Sequence, residues 1–539
     1  MKKSLLLFVA FLCSFTHGQI ISSTDSIIFP SIKVDSIAQS ETYIKNLSTD
    51  TTIIFLKSRT NVFSYTDTLI LLPNDSTLLL INYKPEQNVV DNDFIILLSS
   101  DSLYSCLIKL SGSGKFGDSY DNSTFNLYDN QLRAALSTLV SGHTSLGYNL
   151  ARDKMFETVD DYGGDTIECI YSGTKIKAAD RTTAQNLGFN TEHTWPQSNF
   201  SEAEPMRSDL NHLFPTLADP NNRRSNYDFG LPVNVTWQSN GSKLGTNVYG
   251  QIVFEPRDVT KGDIARAVFY FVTRYQNWGT YLDTLQESVL KNWNHFDSVS
   301  SRESLRAVRI QSFQGKINPF VVHPQFVDRI YSFTNNTSRP QKLFLDVTPY
   351  KVFFDSTEVN DTSYAYINLI NSGNGQISLN FNISDSRFKI ITSPSTIAPF
   401  STSQIQIIFV PDSSTEVNGT LNITSSNSNY TIALTGYGKE VIISNIKDEQ
   451  VVSDYSLDQN YPNPFNPSTT INFNLLHNGI VELKLFDILG NNISTLINGY
   501  MEKGSHAFIL NADGLSSGIY FYVLRVNDFY SSRKMIYLK

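Results

Sequence analysis

The 539-residue sequence predicts a multidomain protein: an α+β centre between two all-β sandwiches, with a further all-β unit at the C-terminus. Three observations carry that reading. The length exceeds what one hydrophobic core supports and fits roughly three to four domains of about 100–200 residues. Two segments close on matching strands, LSGSGK at Leu110–Lys115 and LTGYGK at Leu434–Lys439. Between them the apolar spacing changes from alternating to helical.

Residues 1–18 read as a signal peptide. Lys2 and Lys3 form a positive start, and Leu5–Phe15 is an apolar run too short to span a bilayer. Thr16 and Gly18 are small enough for cleavage before Gln19. A lipoprotein signal at Cys13 is disfavoured by Leu12, where a small residue is needed.

Segments 19–116 and 341–440 are the repeated units. The first carries IIFP at Ile27–Pro30, YIKNLS at Tyr43–Ser48 and a late strand ending at Pro85. The second carries VFFD at Val352–Asp355, YINLINS at Tyr366–Ser372 and a late strand ending at Pro411. Short strands at regular spacing with Asn, Asp, Ser and Gly turns predict β-sandwiches. Both resemble the immunoglobulin-like modules of secreted bacterial proteins, and neither holds a chemical constellation.

Segment 117–340 is the α+β centre. Helices are expected at Gln131–Leu139 and Ile264–Tyr275, the latter from Ile264, Ala267, Val268 and Phe271, with Asp263 placed as its cap. A linker is expected at 441–455. In 456–539, Pro462, Pro464 and Pro467 enforce an extended lead-in to alternating strands, and the chain ends RKMIYLK. Gly514–Gly518 matches G-x-S-x-G, but the stretch that follows reads as a strand, so the hydrolase elbow is rejected.

Composition narrows the class. Hydrophobic residues make up 40% and charged residues 17%, which fits folded protein. No later apolar run reaches transmembrane length, so a soluble mature monomer is expected. Cys106 and Cys169 fall in different segments and make neither a disulfide framework nor a zinc cage. Net charge is −9, and residues 118–340 hold 21 Lys and Arg against 24 Asp and Glu. A nucleic-acid ligand would therefore be held by a few local arginines and a metal, weakly and with salt sensitivity.

The chemistry lies in two stretches. Asn190–Phe200 reads NTEHTWPQSNF and Ser208–Gly230 reads SDLNHLFPTLADPNNRRSNYDFG. They supply an imidazole that titrates near neutral pH, amide oxygens and guanidinium groups. That set suits cleavage of a phosphodiester with one hard metal ion. No H-E-x-x-H and no P-loop is present.

These stretches resemble the endonuclease I family, secreted nonspecific nucleases with a ββα-metal (His-Me finger) site. YNLARDKMF, IYSG, KGDIARAVFYFVTRY and QGKINPFVVHP extend the resemblance over roughly 120–335. It implies His193 as general base, and Glu192 and Asn221 as ligands of Mg2+, with Ca2+ or Mn2+ as alternatives. The Asn lies six residues after Pro215, as the family pattern requires. It also implies an arginine on the product phosphate, assigned to Arg207, with Arg223 and Arg224 serving substrate or solvent and Asp209 orienting the site. Asp209-Leu210-Asn211-His212-Leu213 stands where the family has D-L-H-N-L, which removes His212 from the list. Adjacent strand residues point to opposite faces, so Glu192 and His193 share a metal site only if the strand bends or ends there. The tail resembles the type IX secretion sorting domain, which implies export through the periplasm of a Gram-negative bacterium to the medium or cell surface. The expected function is extracellular degradation of DNA and/or RNA to 5′-phosphate products. A surface adhesin or glycan-binding protein with an inactive nuclease-like domain is the rival.

Overall fold

The computed structural model describes residues 20–440, 454–527 and 529–538. The expected signal peptide and most of the expected linker lie outside the described residues. The chain divides into two compact units, up to Glu440 and from Val441 onward.

In the first unit, residues 20–115 form a sandwich. Its four-stranded sheet contains Ala38–Asn46 paired with Ser76–Tyr83, and its five-stranded sheet is centred on Val90–Ser99 and Ser105–Lys115. Alternating side chains from both sheets, among them Ile44, Leu79, Ile81, Ile95 and Ile108, meet in one core. Residues 345–439 repeat the plan. Ser363–Asn371 pairs with Ser401–Phe409 in one sheet, and Glu416–Ser425 with Asn429–Lys439 in the other.

Packing explains the repeated Gly-x-Gly. A Cβ on Gly112 would lie 2.6 Å from the Tyr83 ring, and one on Gly436 would lie 2.6 Å from the Phe409 ring. Gly114 and Gly438 meet Pro85 and Pro411 in the same way. The two motifs thus mark where an aromatic ring from the opposite sheet reaches the backbone. The sandwiches also touch each other: Asp346 pairs with Lys57 at 3.0 Å and Arg59 at 2.7 Å, beside a cluster of Phe94, Ile96 and Ile370.

Between the sandwiches lies a mixed α/β region built round the helix Lys261–Tyr275. The expected helix is present, and all of its residues except Asp263 and Arg274 are buried. Helices Thr284–Phe296, Asp129–Val140 and Pro319–Val322 and the turn Leu210–His212 pack against it. The helix starts at Lys261 with Thr260 as its cap residue, so Asp263 sits in the first turn instead of capping. The other expected helix spans Asp129–Val140.

The second unit is a smaller two-sheet structure. One sheet has three strands, the other four, and Phe473, Leu483, Tyr522 and Met535 meet between them. The strand Gly518–Val526 follows the G-x-S-x-G turn directly, in keeping with its rejection as a nucleophile elbow.

Candidate active site

The strand Phe189–His193 pairs antiparallel with Leu213–Leu217, His193 lying opposite Leu213. Beyond it, buried Trp195 stacks on Phe271 at 4.6 Å and meets Tyr281 edge-on at 4.9 Å, pinning the strand's exit to the central helix. Leu213–Leu217 runs straight into the helix Ala218–Arg224. Its last residue turns back across the hairpin. Arg224 donates to the Thr194 carbonyl at 2.7 Å and the Tyr281 hydroxyl at 2.7 Å, with a longer contact of 3.5 Å to the His193 carbonyl. Its Nε lies 3.5 Å from Oε1 of Glu192.

The pleat sorts the candidate residues onto two faces. On the helix-covered face, Asn221 donates to Oδ1 of Asn190 at 3.0 Å, and Glu192 meets Arg224. Glu192 is buried, and burial pushes its carboxyl above the usual range against the pull of Arg224 and Tyr171. His193 ends the strand on the other face. Its ring lies 5.7 Å from that of Tyr148 and 5.4 Å from that of His212.

His193 Nε2 sits 3.2 Å from the Arg207 carbonyl. A carbonyl only accepts, so Nε2 carries the proton and Nδ1 keeps its lone pair. Burial, then the neighbouring His212, hold the imidazole well below its ordinary pKa, so it is neutral at neutral pH.

Arginines surround this imidazole. Arg207 pairs with Glu202 at 2.7 Å and lies 4.3 Å from the Tyr148 ring centre. Arg152 lies over the same ring at 4.1 Å. Arg152 carries no role in the sequence reading. The signal was present, because Tyr148 and Arg152 stand four apart on the helix Tyr148–Lys154 and so share one face.

The remaining candidates lie apart. Asp209 is fully buried and accepts from Tyr275 at 2.7 Å, Tyr270 at 2.9 Å and the Asn211 backbone at 3.0 Å. Burial raises its carboxyl, but His143, His212 and these donors outweigh burial and leave it below the usual range. It braces the turn before Leu213–Leu217. Arg223 is exposed and faces Asp219 at 3.6 Å.

A family model described as Endonuclease I matches residues 129–325. The extracellular ribonuclease of Bacillus amyloliquefaciens is 31% identical over 217 residues, covering 37% of this chain and 73% of that protein. The extracellular ribonuclease of Bacillus subtilis is 30% identical over 237 residues, covering 40% of this chain and 78% of that one. The chain belongs to the endonuclease I family. A periplasmic deoxyribonuclease of Aeromonas hydrophila is 29% identical over 126 residues, 22% of this chain and 50% of its own length. Residues 342–439 match a model described as Cep192 domain 4, and 459–538 match the secretion system C-terminal sorting domain. This endonuclease I member is therefore secreted or held at the cell surface. Among the described residues no helix is long and apolar enough to cross a membrane.

Family nucleases are generally metal-dependent, and the donor set here fits a hard cation. Oε1 of Glu192 is buried without a hydrogen bond. Asn221 donates through Nδ2, which leaves its Oδ1 for a ligand. Among the described residues no group of three or more His, Cys, Asp or Glu could hold an ion. One carboxylate and one amide oxygen are the protein donors a hard, largely hydrated cation takes.

Proposed function

We propose that this chain is a secreted, metal-dependent, sequence-nonspecific endonuclease that hydrolyses phosphodiester bonds of DNA, RNA or both to 5′-phosphate products. Its role is degradation of extracellular nucleic acid, after export by the type IX machinery. The run from Phe189 to Arg224 acts as the ββα-metal unit. The sandwiches at 19–116 and 341–440 serve as immunoglobulin-like spacers about the nuclease domain at 117–340. The sorting domain covers 456–539.

His193 takes a proton from water at Nδ1, its Nε2 proton being fixed on the Arg207 carbonyl. The resulting hydroxide attacks phosphorus in line, the bond to the 3′ oxygen breaks, and the phosphate stays on the 5′ side. Glu192 and Asn221 hold the cation, Mg2+ first and Ca2+ or Mn2+ as alternatives. When bound it neutralises charge on the phosphoryl and leaving oxygens, worth several kcal/mol. Arg207 and Arg152, braced on Tyr148, present guanidinium groups to the product phosphate. Arg224 secures Glu192 and the end of the strand, and Asp209 steadies the turn that carries His212.

The observation that carries this reading is a neutral imidazole with Nδ1 unspent, at the end of the strand along which the Asn221 helix packs. The test digests plasmid and a structured RNA with wild type, His193→Ala and Asn221→Ala, with and without EDTA. Calorimetry with Mn2+ reads metal binding separately, and Asn221→Ala should weaken it. Near wild-type cleavage by either variant overturns the assignment. Tight hits on a glycan array with plasmid left intact would favour the adhesin reading.

A further inference from the structure

Just past the Asn221 helix the chain borders a cavity of about 260 Å³. That is below the ~300–1,000 Å³ of sites for drug-sized ligands and suits a single flat ring system. Phe229 and Gln286, both buried, form its closed end. Val248 and Tyr249, 72% and 71% exposed, stand at its mouth. The turn bearing them is rigid, because Oδ1 of Asn247 accepts from the backbone of Tyr249 at 2.9 Å and of Gln251 at 3.0 Å.

The cavity adjoins the reacting groups. The Phe229 ring lies 4.7 Å from the Arg224 guanidinium, and Arg224 in turn meets Glu192 and the Thr194 carbonyl. One side chain separates the two.

Its charged groups are all acceptors. The Gln286 amide is engaged by the Phe229 backbone N–H and the Tyr281 carbonyl, both at 2.9 Å, and the Asn247 amide by its own turn. What remains is two carboxylates, Asp228 and Asp283, the latter with one oxygen capping a helix, and at the mouth the Gln251 Nε2 and the Tyr249 hydroxyl. An apolar slot bearing two carboxylates and no cationic side chain repels phosphate. It takes a flat apolar ring with N–H groups on its edge. Within a nucleic acid that ring is a base, and guanine best matches a carboxylate because its N1–H and N2–H lie side by side.

We propose that this cavity receives one unpaired base of the substrate strand, guanine preferred, with Tyr249 stacking on it and Asp228 accepting its N–H groups. The proposal rests on the nuclease reading and adds to it a base bias at one position beside the cut.

The experiment uses the full chain, a randomised single-stranded oligonucleotide pool with cut ends mapped by sequencing, and bis(p-nitrophenyl) phosphate as a base-free substrate. Wild type should show guanine enriched at one fixed offset from the cut. Tyr249→Ala should flatten that profile and raise KM for the pool about 5- to 100-fold, with hydrolysis of the base-free substrate unchanged. Asp228→Asn should keep most of the affinity and lose the guanine bias. A flat wild-type profile, or a Tyr249→Ala enzyme with unaltered KM and profile, overturns the base site and leaves the nuclease standing. Wild type inert on both substrates overturns both readings.

Discussion

The sandwiches and the site hairpin differ in how they use their buried polar atoms. Asn46 and Asn371 occupy the same place in the two sandwiches, each fully buried. Nδ2 of Asn46 serves the carbonyls of Asp50, Leu71 and Leu72, and that of Asn371 serves Gly375, Ile397 and Ala398. Near the hairpin, Oγ1 of Thr194, Nε1 of Trp195, Nε of Arg207 and Nδ1 of His212 are buried with no hydrogen bond among the described residues. Each such atom costs about 1–3 kcal/mol. Each sandwich uses a buried amide to fix loops, with Thr348 Oγ1 and Ser372 Oγ unpartnered in the second, whereas the hairpin gathers its unpartnered atoms around the reactive groups.

That contrast breaks most clearly at His193. His193→Ala should lower kcat on plasmid by about 10²–10⁴-fold, with circular dichroism and melting temperature close to wild type. A large fall in melting temperature would make His193 a structural residue. Arg224 joins the two kinds of behaviour. Arg224→Met leaves Glu192 buried without its cation and should cost about 3–5 kcal/mol by urea unfolding. Adding Glu192→Gln should recover part of that stability but none of the activity. Recovery of activity in the double variant would remove Glu192 from the metal site.

In the sandwiches the order reverses. Asn371→Ala strands three carbonyls and should cost about 1–3 kcal/mol, read as faster amide exchange across Ser363–Asn371. Cleavage rates below the unfolding transition should not change. A fall in kcat would mean that the second sandwich takes part in the reaction.

Much of this was legible in the sequence where local pattern and packing agree. The strand ending at His193 follows from local pattern, the Gly-x-Gly repeat shows as a sequence match, and the helix carrying Asn221 was expected from the family resemblance. Features made by distant segments were not. Nothing local says that Arg224, next to exposed Arg223, is buried against Tyr281. The burial of Lys261–Tyr275 depends on helices both before and after it in the chain, which its own periodicity does not reveal. Asp209 reads as a site acid because it opens the stretch that matches the family's D-L-H-N-L, and only the fold reveals the two tyrosines that enclose it.

The smallest effect separates the two sandwiches from each other. The aromatic ring under the motif glycine is Tyr83 in the first and Phe409 in the second. Opposite those glycines stand Asp91 and Val417. Tyr83 donates to Asp91 at 2.7 Å, a polar pair where the second sandwich has only apolar groups. Burial pushes the Asp91 carboxyl from 3.8 up to about 6, despite the Tyr83 hydrogen bond and with Glu86 adding to the rise. The folded state therefore binds this proton more tightly than the unfolded state does. Its stabilising contribution is complete below pH 4 and disappears as pH climbs through about 6. Between pH 7 and pH 5 the first sandwich should gain stability from this group, by roughly one or two degrees in melting temperature. The second sandwich, with Val417, has no such contribution. Tyr83→Phe with Asp91→Val copies the second pattern into the first and should abolish the gain while leaving stability at pH 7 equal or higher. Amide exchange of Ser76–Tyr83 at the two pH values, corrected for intrinsic exchange, measures it. An unchanged pH dependence in the double variant would place the titrating group elsewhere in the first unit.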